Sequence, residues 1–71
     1  MMDPYQKLAD AIVLQAVKDY RQDLRRMKNS PSNINKGKVK EDERFFRSSW
    51  FKSLTKVDGE YLIEKLREEC L

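Results

Sequence analysis

ERFFRSSWFKSLTKVDGEYLI, residues 43–63, holds five of the seven aromatic residues of the chain: Phe45, Phe46, Trp50, Phe51 and Tyr61. A chain of 71 residues has few ways to build a core, and its large side chains are concentrated here. Ser48 and Ser49 precede the second aromatic pair, and Asp58–Gly59 precedes Tyr61. Serine and aspartate of this kind start helices, because their side-chain oxygens accept from backbone N–H groups of the first turn. The stretch therefore reads as two short helical pieces. One is capped by Ser48 or Ser49 and runs through Trp50, Phe51 and Leu54; the other is capped by Asp58, with Gly59 and Glu60 in its first turn. In the last piece Tyr61, Leu62, Leu66 and Cys70 recur at helical spacing, joined by Ile63.

Upstream, Asp3 is a candidate N-cap, Pro4 suits the first helical position, and Gln6 is placed to complete a variant of the capping box. Tyr5, Leu8, Ala9, Ile12, Val13, Ala16, Tyr20, Leu24 and Met27 then recur at spacings of three and four. They draw one apolar stripe along about six turns. Asn29–Asn33, NSPSN, breaks the pattern, because Pro31 disfavours helix at Ser30 and Asn and Ser favour turns. The segment from about Ile34 to Arg47 reads as a second helix, with Ile34, Lys38, Glu41 and Phe45 on one face and Val39 and Phe46 beside it. Gly37 weakens its start by about 1 kcal/mol relative to Ala, so its first two turns are expected to fray. Nothing alternates with period two, and no repeat or low-complexity tract is present. The expected architecture is all-α: one domain over residues 1–71, a small three-helix bundle with a long N-terminal helix. A short extra helix precedes the C-terminal one, and a flexible connection falls at about residues 29–38.

Composition narrows the function classes. Apolar residues make up 39% of the chain, enough for one small core but not for one with a deep substrate cavity. With a single cysteine, Cys70, no internal disulfide is available, and no Cys/His cluster could hold zinc. No other cofactor is implied. A domain without such staples needs well-formed helices, a dimer mate or a larger partner to be robust. The lone thiol points to a reducing compartment. With no charged-then-apolar leader and no long apolar run, the expectation is a cytoplasmic protein that neither enters nor spans a membrane.

Catalytic machinery is not legible, and the chain is read as not an enzyme. It contains no histidine, no nucleophile elbow and no phosphate-cradling loop, its only glycines being Gly37 and Gly59. Glu41, Asp42 and Glu43 are consecutive, so they fan around a helix and read as a solvated acidic patch. Cys70 has no base partner.

Charge carries more information. Residues 18–40 hold Lys18, Arg21, Arg25, Arg26, Lys28, Lys36, Lys38 and Lys40 against Asp19 and Asp23, a local charge of +6. Residues 1–17 carry −1 and residues 41–71 carry −2. Three readings of this basic corner stay open: contact with nucleic-acid phosphates, contact with an acidic protein surface, or a solvated helix end. The overall charge of +3 is modest for a nucleic-acid binder, and the positive balance argues against a DNA mimic. A second set of candidates comes from the aromatic pairs. Neighbours in a helix point about 100° apart, so one member of each pair can face the core while the other faces a partner. Phe46 and Trp50 are the candidate exposed contacts.

The pattern E-R-F-F-R-S-x-W-F-x-x-L-T-x-x-D-G-E-Y-L-I, preceded by a long helix such as AIVLQAVKDYRQDLRRMKN, resembles a group of short proteins of phages and mobile elements in low-GC Gram-positive bacteria. The likeness covers about residues 6–69 and departs from the group at Ser32–Lys40, which is poorer in Ala and Glu. It implies a helical fold and a mobile-element context, and it carries no catalytic or binding residues over. In that context the expected function is a non-enzymatic binding module that engages a larger host protein or protein–nucleic-acid complex, with inhibition of a defence machine, as anti-CRISPR proteins do, as the sharpest form. The alternatives are an accessory nucleic-acid-binding protein using residues 18–40, or a structural homodimer built on the first helix.

Overall fold

A computed structural model describes residues 3–70. Four helices follow one another: α1 (Pro4–Asn29), α2 (Asn33–Phe46), α3 (Ser49–Leu54) and α4 (Gly59–Cys70). Each is started by one small polar side chain. Asp3 Oδ1 accepts from the Tyr5 N–H at 3.0 Å, and Ser32 Oγ from the Asn35 N–H at 3.1 Å. Ser48 Oγ accepts from the Phe51 N–H at 3.1 Å, and Asp58 Oδ1 from the Glu60 N–H at 3.0 Å. Such caps contribute about 1 kcal/mol apiece, because each satisfies a donor the helix itself cannot. Gln6 does not complete a capping box. Its amide donates to Asp10 Oδ1 one turn on, at 2.9 Å.

The start of α2, expected to fray, carries a side-chain hydrogen bond to the chain before it. The Asn35 side-chain amide donates to the Ser30 carbonyl at 2.7 Å, which ties the first turn of α2 to the connection before it. Gly37 follows in the next turn, and apart from its own helix nothing lies within 4 Å of where a Cβ would sit. Gly37→Ala is therefore expected to stabilise the domain by about 0.5–1 kcal/mol, through the lower backbone entropy of the unfolded chain. Thermal melts should show the gain as a rise of about 4 °C.

From its start α2 runs back along α1, and α4 packs across both. Val39, Glu43 and Phe46 are the buried positions of α2, which differs from the expected face: Ile34 is exposed and Phe45 half-buried. The inner positions of α1 are Ala9, Tyr20 and Leu24, with Val13, Ala16, Val17 and Met27 packed beside the core. Tyr5 and Leu8, part of the same apolar stripe, remain exposed. The reason is length: α1 has 26 residues and α2 has 14, so at about 1.5 Å per residue α2 covers only about half of α1.

Aromatic rings fill the centre. Phe46 meets Tyr20 and Phe51 edge-to-face, with centroids 5.5 and 5.4 Å apart. Pairs of this geometry contribute about 0.5–1.5 kcal/mol beyond the area they bury. Phe46 is only 1% exposed, so its candidacy as an exposed contact is withdrawn. Two other features close the bundle. Gly59, at the start of α4, lies against α2 so tightly that a Cβ there would sit 1.9 Å from the Phe46 carbonyl oxygen. Beside it runs a polar network joining three helices. Glu43 Oε2 accepts from the Tyr20 hydroxyl at 2.6 Å and from Arg67 Nε at 3.1 Å. Glu43 is 5% exposed, so it is no part of a solvated acidic patch. Burial, followed by the hydrogen bond to Glu43, pushes the Tyr20 hydroxyl up to about 12.

Candidate functional site

The second aromatic candidate, Trp50, is placed where a partner can reach it. Ser48 starts α3 so that Phe51 and Leu54 turn inward, and their neighbour Trp50 is left 58% exposed. It is held in place by Phe45, whose ring it meets edge-on with centroids 5.6 Å apart. Between these two side chains and α1 lies a groove of about 340 Å³, with Ile12, Gln15, Ala16 and Asp19 as its α1 wall and Asp42 on the α2 side. The α1 residues recur at positions i, i+3, i+4 and i+7, one flank of the helix.

Carboxylates gather at one end of the groove. Asp42 is half-buried, and its Oδ2 is shielded from solvent with no hydrogen-bond donor among the described residues. Burial raises its pKa, and the nearby Asp23 carboxylate, followed by the charges of Asp19 and Glu41, pushes it further, to about 8. The physical picture is a proton held between Asp42 and Asp23, since two carboxylates in one partly dry site resist ionising together. An unfolded aspartate ionises near 3.8, so the folded protein loses stability as pH rises from about 4 to about 8. Asp42→Asn removes that loss. Its melting temperature should match wild type near pH 4 and exceed it near pH 8 by about 5–10 °C, after the discount that solvent screening imposes on a half-buried group. A constant difference across that range would show that Asp42 is ionised in the folded protein.

The basic residues do not form the single corner their closeness in sequence suggests. Lys18, Arg21, Arg25 and Lys28, at spacings of three and four, share one flank of α1. Arg21 is engaged by Glu69 of α4 at 2.6 and 3.2 Å. Arg26 turns to the other flank, 4.0 Å from Asp23. On α2, Lys36 and Lys40 align with Arg44 and with Arg47 just past its end, and Arg47 is engaged by Glu60 of α4. Lys38 lies on the opposite side of α2. Helix α4, with four glutamates against Lys65 and Arg67, thus sits between two basic stripes and pairs with a member of each.

Sequence reasoning missed the groove and most of its lining. The i, i+3, i+4, i+7 run from Ile12 to Asp19 was a usable signal, whereas the meeting of Asp42 with Asp19 and Asp23 depends on how α2 returns along α1. No group of His, Cys, Asp or Glu among the described residues is arranged to hold a metal ion. Cys70 is half-buried, with its Sγ 3.9 Å from the Arg21 carbonyl oxygen. No described helix is long and apolar enough to cross a membrane. Compared with protein-family models, curated proteins and solved structures, the chain matches none.

Proposed function

We propose that this protein is a non-enzymatic binding module that docks on a larger protein through the groove beside Trp50. The observation that carries the reading is an exposed tryptophan fixed against Phe45 at the mouth of an apolar groove. Tryptophan is enriched at the energetic centres of protein interfaces, and a side chain already held in place loses less entropy on binding. The resemblance of residues 43–63 to short phage and mobile-element proteins supplies the context. In that context the partner is a host defence machine, and the function is its inhibition in the manner of anti-CRISPR proteins. The test is capture of purified host defence effectors by the immobilised protein and by its Trp50→Glu variant, with folding of the variant checked by circular dichroism. Trp50-dependent capture supports the reading; capture that ignores Trp50 overturns it.

The two basic stripes favour a second reading, nucleic-acid contact through Lys36, Lys40 and Arg44 or through Lys18, Arg25 and Lys28. The acidic α4 between them weakens it, because a phosphate backbone crossing from one stripe to the other meets four glutamates. Gel-shift titrations at low and high salt decide this reading, and no retardation at low salt removes it. A homodimer through the exposed N-terminal turns of α1 is the third; a monomer mass by light scattering at high concentration removes it.

A further inference from the structure

The groove beside Trp50 is bounded by helices on two sides, α1 on one and α2 with α3 on the other. An open seam between helices is the geometry into which a further helix packs, its ridges entering the groove. The apolar mouth and the acidic end are close neighbours on both walls. Phe45 lies three residues beyond Asp42, and Ala16 three residues before Asp19. We infer that the occupant is an amphipathic helical segment of a partner protein that sets an apolar side chain against Trp50 and Phe45 and an Arg or Lys against the carboxylates of Asp42, Asp19 and Asp23. This rests on the docking reading above and adds the chemistry of the partner.

Charge complementarity selects this occupant. The carboxylates facing Asp42 come from α1, as Asp19 and Asp23, and from its own helix, as Glu41. The cations nearby are few. Arg26 lies 4.0 Å from Asp23 and is itself half-exposed, and Lys38 is one turn before Asp42 on α2. Lys52 of α3 borders a separate depression beside Gln6, and α4 pairs with the opposite flank of α1 through Glu69. None of these side chains donates to the shielded Asp42 Oδ2. That shielded oxygen is satisfied by the proton shared with Asp23, while a cationic donor from outside meets the exposed Asp19 carboxylate and the part of Asp42 that lines the groove. A guanidinium or ammonium that docks there expels the proton and is attracted by both neighbouring carboxylates in a site where water screens poorly. A phosphate at the same place faces three aspartates, so the groove selects a protein segment and rejects nucleic acid.

Proton linkage follows from the same geometry. The bound state holds one proton fewer at Asp42, so affinity rises with pH and levels off above about 8, where the free protein has already lost that proton. Lysine and arginine on the partner stay charged throughout that range.

The experiment is a selection of displayed helical peptides, all residue types allowed, on the full chain at pH 8 with counter-selection on Trp50→Glu. Recovered peptides are then synthesised and titrated by the fluorescence of Trp50, the only tryptophan in the chain. The expected peptides carry an Arg or Lys at a fixed helical spacing from an apolar anchor. They lose about tenfold in affinity on Asp19→Asn/Asp42→Asn, and about fiftyfold in wild type between pH 8 and pH 6, as release of one proton from a group titrating at about 8 requires. Peptides without a cation, or binding that ignores both the aspartate changes and pH, overturn the inference and leave Trp50-dependent docking standing. If no Trp50-dependent peptide is recovered, or if wild type alone dimerises in light scattering while Trp50→Glu stays monomeric, the inference is overturned; the second result assigns the groove to another copy of this chain.

Discussion

Gly59→Ala is expected to leave the domain largely unfolded at room temperature, with the helical circular dichroism lost and no cooperative melt. The added methyl group would lie 1.9 Å from the Phe46 carbonyl oxygen and 3.5 Å from the Phe46 Cβ. Carbonyl oxygens in a helix cannot rotate aside as a side chain can, so α4 must move away from α2. That movement opens the contacts of Ile63 and Leu66, the buried residues of α4 beyond Gly59. Forcing extra volume into a packed site costs about 1–3 kcal/mol and more where backbone must shift, while a domain of this size draws about 3–5 kcal/mol from its core. The contrast with Gly37→Ala sharpens the test, because the same substitution is predicted to act in opposite directions at the two glycines. A Gly59→Ala protein that melts within a few degrees of wild type would mean that α4 does not rest on the Phe46 carbonyl.

Removing Arg67 should produce the second large effect. Glu43 is 5% exposed in the intact fold, and Arg67→Ala leaves its carboxylate with the Tyr20 hydroxyl as its closest remaining donor, since Arg47 Nη1 stays 3.8 Å from the other oxygen. Breaking one side of a buried pair costs about 3–5 kcal/mol. Because the Arg67 side chain is itself half-exposed, the lower part of that range applies, about 3 kcal/mol. Urea denaturation should show the loss at neutral pH. The double variant Glu43→Leu/Arg67→Met should recover most of it, because the cost lies in an uncompensated buried charge and not in a missing attraction. If the double variant is as unstable as Arg67→Ala, the network contributes net stability and the desolvation argument fails. The same network predicts an alkaline limit. The Tyr20 hydroxyl titrates at about 12 in the fold against 10.0 for a free tyrosine, so stability is full below about pH 10 and is lost as pH rises towards 12.

Local features of the fold were legible in the residues. Asp3, Ser48 and Asp58 announce helix starts because capping depends on one side chain and the two or three residues after it. The stripe from Ala9 to Met27 was equally plain, since period alone marks it. What escaped depended on pairs far apart in the chain. Glu43 was grouped with Glu41 and Asp42 as solvated, yet it occupies the same inward row as Val39 and Phe46, four residues on from the first and three before the second. That spacing carried the burial, but nothing local announced Tyr20 and Arg67 as partners that make a buried carboxylate tolerable. The assignment of Phe46 as an outward face failed for a related reason. Adjacent aromatics must diverge, and only the approach of α1 and α4 decides which one turns in. The basic corner was misleading in the opposite sense, because closeness in sequence around Lys18–Lys40 did not survive the insertion of α4 between the two stripes.

Among the described residues no backbone φ is positive, the two glycines included. The connections at Ser30–Ser32, Arg47–Ser48 and Thr55–Asp58 are therefore built from conformations open to any L-amino acid. The path of the chain is written in four capping side chains, one carbonyl-hugging glycine and an inward row of apolar residues, of which Ala16 and Phe45 also line the Trp50 groove. Gln15, Asp19 and Trp50, the exposed members of the groove lining, stand outside that row. A lineage that carried this scaffold could exchange residues such as Gln15, Asp19 and Trp50 without redrawing a single turn.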